Sequence, residues 1–142
     1  MEERETKILL VEDLEEHVLL IKHALEESKL RNRVFVTMDG EEALEFLYNT
    51  GKYASEEKYP KPDIILLDLS LPKLDGIEVL KRIKSEEEIK DIPVIVLTVS
   101  IRDEDIINAY RGGVKSYLLK SAFIVQKTGK MEGLLDTILS LV

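Results

Sequence analysis

The sequence predicts an α/β fold, a doubly wound parallel sheet with helices on both faces. Two observations predict it. Five short apolar runs alternate along the chain with segments whose apolar residues recur at the helical period, the order that a parallel sheet with crossover helices requires. The run DIILLD is apolar at successive positions rather than at alternate ones, as expected of a strand buried on both faces.

The elements follow in order. KILLV (7–11) is the first strand. After Glu12 and Asp13, residues Leu14, Val18, Ile21 and Leu25 recur at helical spacing, predicting an amphipathic helix through about Ser28. RVFVT (33–37) is the second strand. Asp39 followed by Glu42 has the spacing of an N-cap and its capping partner, opening a helix that carries Ala43, Phe46 and Leu47. The stretch 49–62 reads as a long helix-to-strand loop, with Pro60 and Pro62 stiffening the approach to the third strand, DIILLD (63–68). Asp75-Gly76 turns the chain into a third helix bearing Ile77, Leu80 and Ile83. Pro93 opens the fourth strand, VIVLT. Ser100 with Asp103 can cap a fourth helix that Gly112-Gly113 stops, VKSYLLK (114–120) is the fifth strand, and Met131, Leu134, Leu135, Ile138 and Leu139 give the stripe of a last helix.

At 142 residues, 44% of them hydrophobic, the chain suffices for one compact domain and is too short for two ordinary ones. With no repeat and no linker, a single domain over 1–142 without an attached output domain is expected. Cysteine is absent, which excludes disulfides and thiolate metal sites, and no apolar stretch reaches membrane-span or signal-peptide form. A cytoplasmic location is expected. Twenty-eight acidic against twenty basic side chains give a net charge of −8, which disfavours nucleic acid and anionic membranes and favours proteins or cations as partners.

Ligands of open parallel sheets bind beyond the carboxyl ends of the strands. Those ends carry Glu12-Asp13, Asp68, Thr98 and Lys120. Taken singly, each is compatible with an ordinary polar strand end; it is their joint placement that points to a site. Two carboxylates about 5 Å apart repel by roughly 3 kcal/mol at an effective dielectric near 20, so such a cluster calls for a cation. An all-oxygen donor set suits Mg²⁺. The Lys120 ammonium and Thr98 hydroxyl are donors suited to a transferred phosphoryl group, with Asp68 as the nucleophile that forms an acyl phosphate. Held where strand meets solvent, Asp68 is expected to be partly exposed. His17 and His23, six apart and off the apolar stripe of the first helix, read as solvated residues rather than metal ligands.

KILLVED, DIILLDLSLPKLDG, PVIVLT and SYLLK, in this order and spacing, resemble the receiver domain of two-component response regulators over essentially the whole chain. The resemblance implies a flavodoxin-like (βα)5 fold with strand order 2-1-3-4-5. It implies that Asp68 accepts phosphate from a histidine kinase or phosphotransfer protein, that Asp13 and Asp68 ligate Mg²⁺ directly, that Glu12 holds it through water, and that the Ser70 carbonyl is a further ligand. Thr98 and Lys120 would bind phosphoryl oxygens, and Tyr117 would be the aromatic switch. Output would pass through the surface of the fourth helix, fifth strand and fifth helix to a downstream protein; the apolar residues of the last helix are also compatible with a homodimer. The long loop and the wording LSLPKLDG resemble stand-alone receivers paired with phytochrome kinases.

Two positions depart from the family pattern. Ser121 stands where a cis-proline is common, and a cis bond before serine would cost about 2.5–4 kcal/mol, so a different loop shape around Lys120 is expected. Val99 replaces a commonly small residue, and its bulk is expected to slow hydrolytic water. Two other functions compete with the phosphorylated switch. One is a degenerate receiver that binds partners without phosphate. The other is an aspartate-nucleophile phosphatase, which Ser70 disfavours because it cannot act as the leaving-group acid.

Overall fold

A computed structural model of the chain describes residues 5–27, 31–69, 75–98 and 116–119. Five strands, β1 (Thr6–Val11), β2 (Asn32–Thr37), β3 (Ile64–Asp68), β4 (Val94–Thr98) and β5 (Ser116–Leu119), form one parallel sheet in the order β2-β1-β3-β4-β5. This is the expected order. The connecting helices among the described residues are α1 (Glu15–Glu27), α2 (Gly40–Tyr48) and α3 (Gly76–Ser85). The expected fourth and last helices lie outside the described residues. No helix among the described residues is long and apolar enough to cross a membrane.

Residue parity along the strands divides the core into two halves, because successive strand side chains point to opposite faces. Ile8, Leu10, Ile64, Leu66, Ile95 and Leu97 meet Val18, Ile21 and Leu25 of α1 on one face. Leu9, Val11, Ile65, Leu67, Val94 and Val96 meet α2 and α3 on the other. Burial of Val79, Leu80 and Ile83 fastens α3 to the sheet, at about 1.5–3 kcal/mol for each large apolar side chain removed from water.

The Asp39 cap agrees with the sequence reading, and Asp75, read there only as a turn residue, caps α3. Asp39 Oδ1 accepts the Glu42 N–H at 2.8 Å, and Asp75 Oδ1 accepts the Ile77 N–H at 2.7 Å. Leu14 departs from it. It precedes α1, its carbonyl accepting the first helical hydrogen bond from Val18, and its side chain is half exposed rather than part of the buried stripe. The connection from α2 to β3 is more ordered than a plain loop. It holds a 3-10 turn at Gly51–Tyr53, and Tyr53 and Tyr59 close edge-on against each other and against Phe46.

Candidate functional site

Register brings the acids together. β1 and β3 run parallel with Val11 beside Leu67, so the next step along each strand sets Glu12 beside Asp68 at the carboxyl edge of the sheet. Asp13 follows as the chain turns toward α1. Glu12, Asp13 and Asp68 each offer a carboxylate oxygen, and the three oxygens lie within 4.8 Å of one another. Like charges at that separation repel by roughly 3 kcal/mol per pair at an effective dielectric near 20. The donor set is wholly oxygen, which fits a hard divalent cation and fits a thiolate- or imidazole-seeking metal poorly.

Asp68 is 4% exposed, which corrects the expectation of a partly exposed nucleophile. Glu12 beside it is 1% exposed, and the N-terminus of α3 packs on the Asp68 backbone. A β-carbon on Gly76 would stand 2.5 Å from both the Asp68 carbonyl oxygen and Leu69 Cα, so only glycine permits this approach. The Gly76 N–H donates to the Leu69 carbonyl at 3.1 Å and ties the helix start to the residue after Asp68.

Both Glu12 oxygens have a near neighbour. Oε2 accepts the Leu14 N–H at 3.3 Å, and Oε1 stands 3.4 Å from His17 Nδ1. His17 is therefore not a solvated helix residue; its side chain is 19% exposed and faces Glu12. His23 does lie at the surface, 3.2 Å from Glu27 one turn on. Sequence reasoning missed His17 and the Gly76 contact. The available signals were the position of His17 in the first turn after Glu12-Asp13 and the Asp75-Gly76 pair that follows the strand-three loop.

Thr98 ends β4 with its backbone beside Leu119, and Tyr117 lies in β5 beside Val96, so both strands deliver these residues to the sheet as expected. Ser70, Val99, Lys120 and Ser121 lie outside the described residues.

The response regulator receiver domain family matches residues 8–127. The chain belongs to the response regulator receiver family. Among relatives of this receiver, response regulator Rcp1 of Synechocystis sp. is 44% identical over 114 residues, covering 80% of this chain and 76% of Rcp1. The crystal structure of the phosphorylated cyanobacterial phytochrome response regulator RcpA superimposes with a TM-score of 0.87 at 42% identity, over 98% of this chain and 97% of RcpA. The Mn²⁺-bound form of Rcp1 gives a TM-score of 0.86 at 39% identity, over 96% of each chain. Membership makes this a signalling protein of the two-component type, and the receiver fold is the flavodoxin-like arrangement that the sequence predicted.

Proposed function

We propose that the chain is a phosphorylation-dependent switch whose phosphoacceptor is Asp68. The observation that carries this is the meeting of Glu12, Asp13 and Asp68 at the carboxyl ends of β1 and β3. A carboxylate oxygen of Asp68 attacks the phosphorus of a kinase phosphohistidine, the new O–P bond forms as the P–N bond breaks, and the imidazole nitrogen leaves with the bonding pair. Asp13 and Asp68 hold Mg²⁺ directly, with Glu12 acting through water and the Ser70 carbonyl as a further donor. When bound, the cation offsets carboxylate charge and stabilises the charge that builds on the phosphoryl oxygens. Thr98 and Lys120 receive those oxygens, and Tyr117 is the switch residue that follows Thr98.

The donor kinase is a histidine kinase of the phytochrome type, a reading supported by RcpA, which is a phytochrome response regulator, and by the like fold of the bacteriophytochrome response regulator AtBRR. Output passes through the fourth helix, fifth strand and fifth helix to a protein partner. Intact mass after incubation with a small acyl phosphate and Mg²⁺ tests the assignment. One added phosphate on the wild type and none on Asp68→Asn is the expected result. No addition to either would leave a receiver that binds partners without phosphate, and rapid turnover of phosphate esters would make it a phosphatase.

A further inference from the structure

Glu12 is the most enclosed of the three acids, and two groups at the start of α1 reach its oxygens. Leu14 N–H reaches Oε2 at 3.3 Å from the turn that follows β1, and His17 Nδ1 reaches to 3.4 Å of Oε1 from the first turn of α1. A carboxylate beside two others is driven to rotate away from them. The backbone donor fixes one oxygen, and a group at the other oxygen restricts rotation of the carboxylate plane. The side chain of His17 is enclosed enough, at 19% exposed, for this contact to compete with water.

We propose that His17 is a positioning residue for the divalent-cation site. With a proton on Nδ1, the imidazole presents an N–H to Oε1 and holds Glu12 in the orientation in which its carboxylate accompanies Asp13 and Asp68. Both Glu12 oxygens then have a protein donor, which suits a group that meets a cation through water better than one that ligates it directly. His17 itself touches no cation. The proposal rests on the reading of Glu12, Asp13 and Asp68 as a cation site, and it adds a residue from outside that set. Partners of this kind, which orient the groups around a metal, typically change its affinity by 10–100-fold when removed.

The experiment is Mn²⁺ binding to the full chain, by calorimetry and by the electron paramagnetic resonance signal of free Mn²⁺. His17→Ala is expected to weaken Mn²⁺ by about tenfold. His17→Asn, whose amide N–H can occupy the place of Nδ1, is expected to restore most of that loss. Equal affinity of wild type and His17→Ala, tighter binding by His17→Ala, or equal weakening in the Ala and Asn variants would each overturn the role. If His17→Ala does not fold, His17→Asn against His17→Leu compares two side chains of similar size that differ in the donor, and equal affinity there overturns it as well. Asp13→Asn separates the two readings. If wild type and Asp13→Asn both fail to bind Mn²⁺, the cation site itself is wrong; if only Asp13→Asn fails, the outcome for His17 stands by itself.

Discussion

Gly76 approaches Asp68 so closely that a β-carbon on the glycine would lie 2.5 Å from the Asp68 carbonyl oxygen. Both atoms in its way, that oxygen and Leu69 Cα, are backbone, so no side-chain rotation relieves the clash. Gly76→Ala must push either α3 or the end of β3. It is expected to cost about 1–3 kcal/mol in chemical denaturation, the usual range for overpacking. Because the displaced strand end carries Asp68, phosphorylation followed by intact mass should also slow under conditions where the variant is fully folded. An unchanged rate in a folded variant would show that the contact serves stability alone.

Asn49 closes α2 in the left-handed region, at φ 55°, with its N–H turned back to the Glu45 and Phe46 carbonyls. Its side chain donates to the Tyr53 carbonyl at 3.1 Å and to the Tyr59 carbonyl at 2.8 Å, and accepts from Lys61 Nζ at 2.8 Å. Asn49→Gly keeps the backbone conformation and loses three side-chain hydrogen bonds, which predicts a loss of about 2–4 kcal/mol. Asn49→Ala loses the same bonds and adds about 1 kcal/mol for a β-carbon at positive φ. Urea unfolding should rank the proteins wild type, Gly, Ala. A Gly variant below Ala would mean that the side-chain bonds and the φ preference have been wrongly separated.

The contrast between Asn49 and Asp39 shows what the sequence disclosed. Asp39 acts on Glu42, three residues away, and that spacing alone predicted the cap. Asn49 acts on Tyr53, Tyr59 and Lys61 in a stretch with no periodicity, so its role appears only once the chain is folded. The site divides in the same way. Glu12, Asp13 and Asp68 were legible because parallel strands bring their carboxyl ends to one edge. The depth of Asp68 and the turn of His17 toward Glu12 depend on packing between elements, which residue spacing along one element does not encode. Leu14 fitted the helical period but falls one residue before the helix begins, where the same spacing no longer sets the same face.

Tyr53 predicts an alkaline limit to stability. Its ring is buried, and its hydroxyl donates to Glu42 Oε1 at 3.0 Å. Burial, and then the Glu42 carboxylate, push its ionisation well above the ordinary value of 10.0. In the unfolded chain the phenol ionises near that ordinary value, whereas in the native state it keeps its proton. The contribution is therefore complete below about pH 10 and is lost as pH rises beyond it. Stability measured by urea should fall more steeply above pH 10 in the wild type than in Tyr53→Phe. At neutral pH the variant should be weaker by about 1.5–3 kcal/mol, the range for a hydrogen bond to a charged group. Tyr48, raised by burial and by Glu86, is present in both proteins and cancels in the comparison. Parallel pH profiles would sink the prediction.

The three acids make the cation site a source of strain in its absence. Their oxygens lie within 4.8 Å of one another, and two of the three residues are buried, so water screens the repulsion incompletely. Asp68→Asn removes one charge from two of the three pairs while keeping the size of the side chain. Free of divalent cations, it is expected to be more stable than wild type by about 1–2 kcal/mol, or roughly 3–8 °C in melting temperature for a domain of this size. Mg²⁺ should act in the opposite order. At one hundred times its dissociation constant it adds about 2.7 kcal/mol to the protein that binds it, and wild type should gain more than Asp68→Asn, which has lost one charge of the acidic cluster. Scanning calorimetry of both proteins, with chelator and with excess Mg²⁺, gives the four melting temperatures. If chelated wild type and Asp68→Asn melt together and Mg²⁺ moves neither, the carboxylates do not repel as their spacing requires, and the cation reading fails with them.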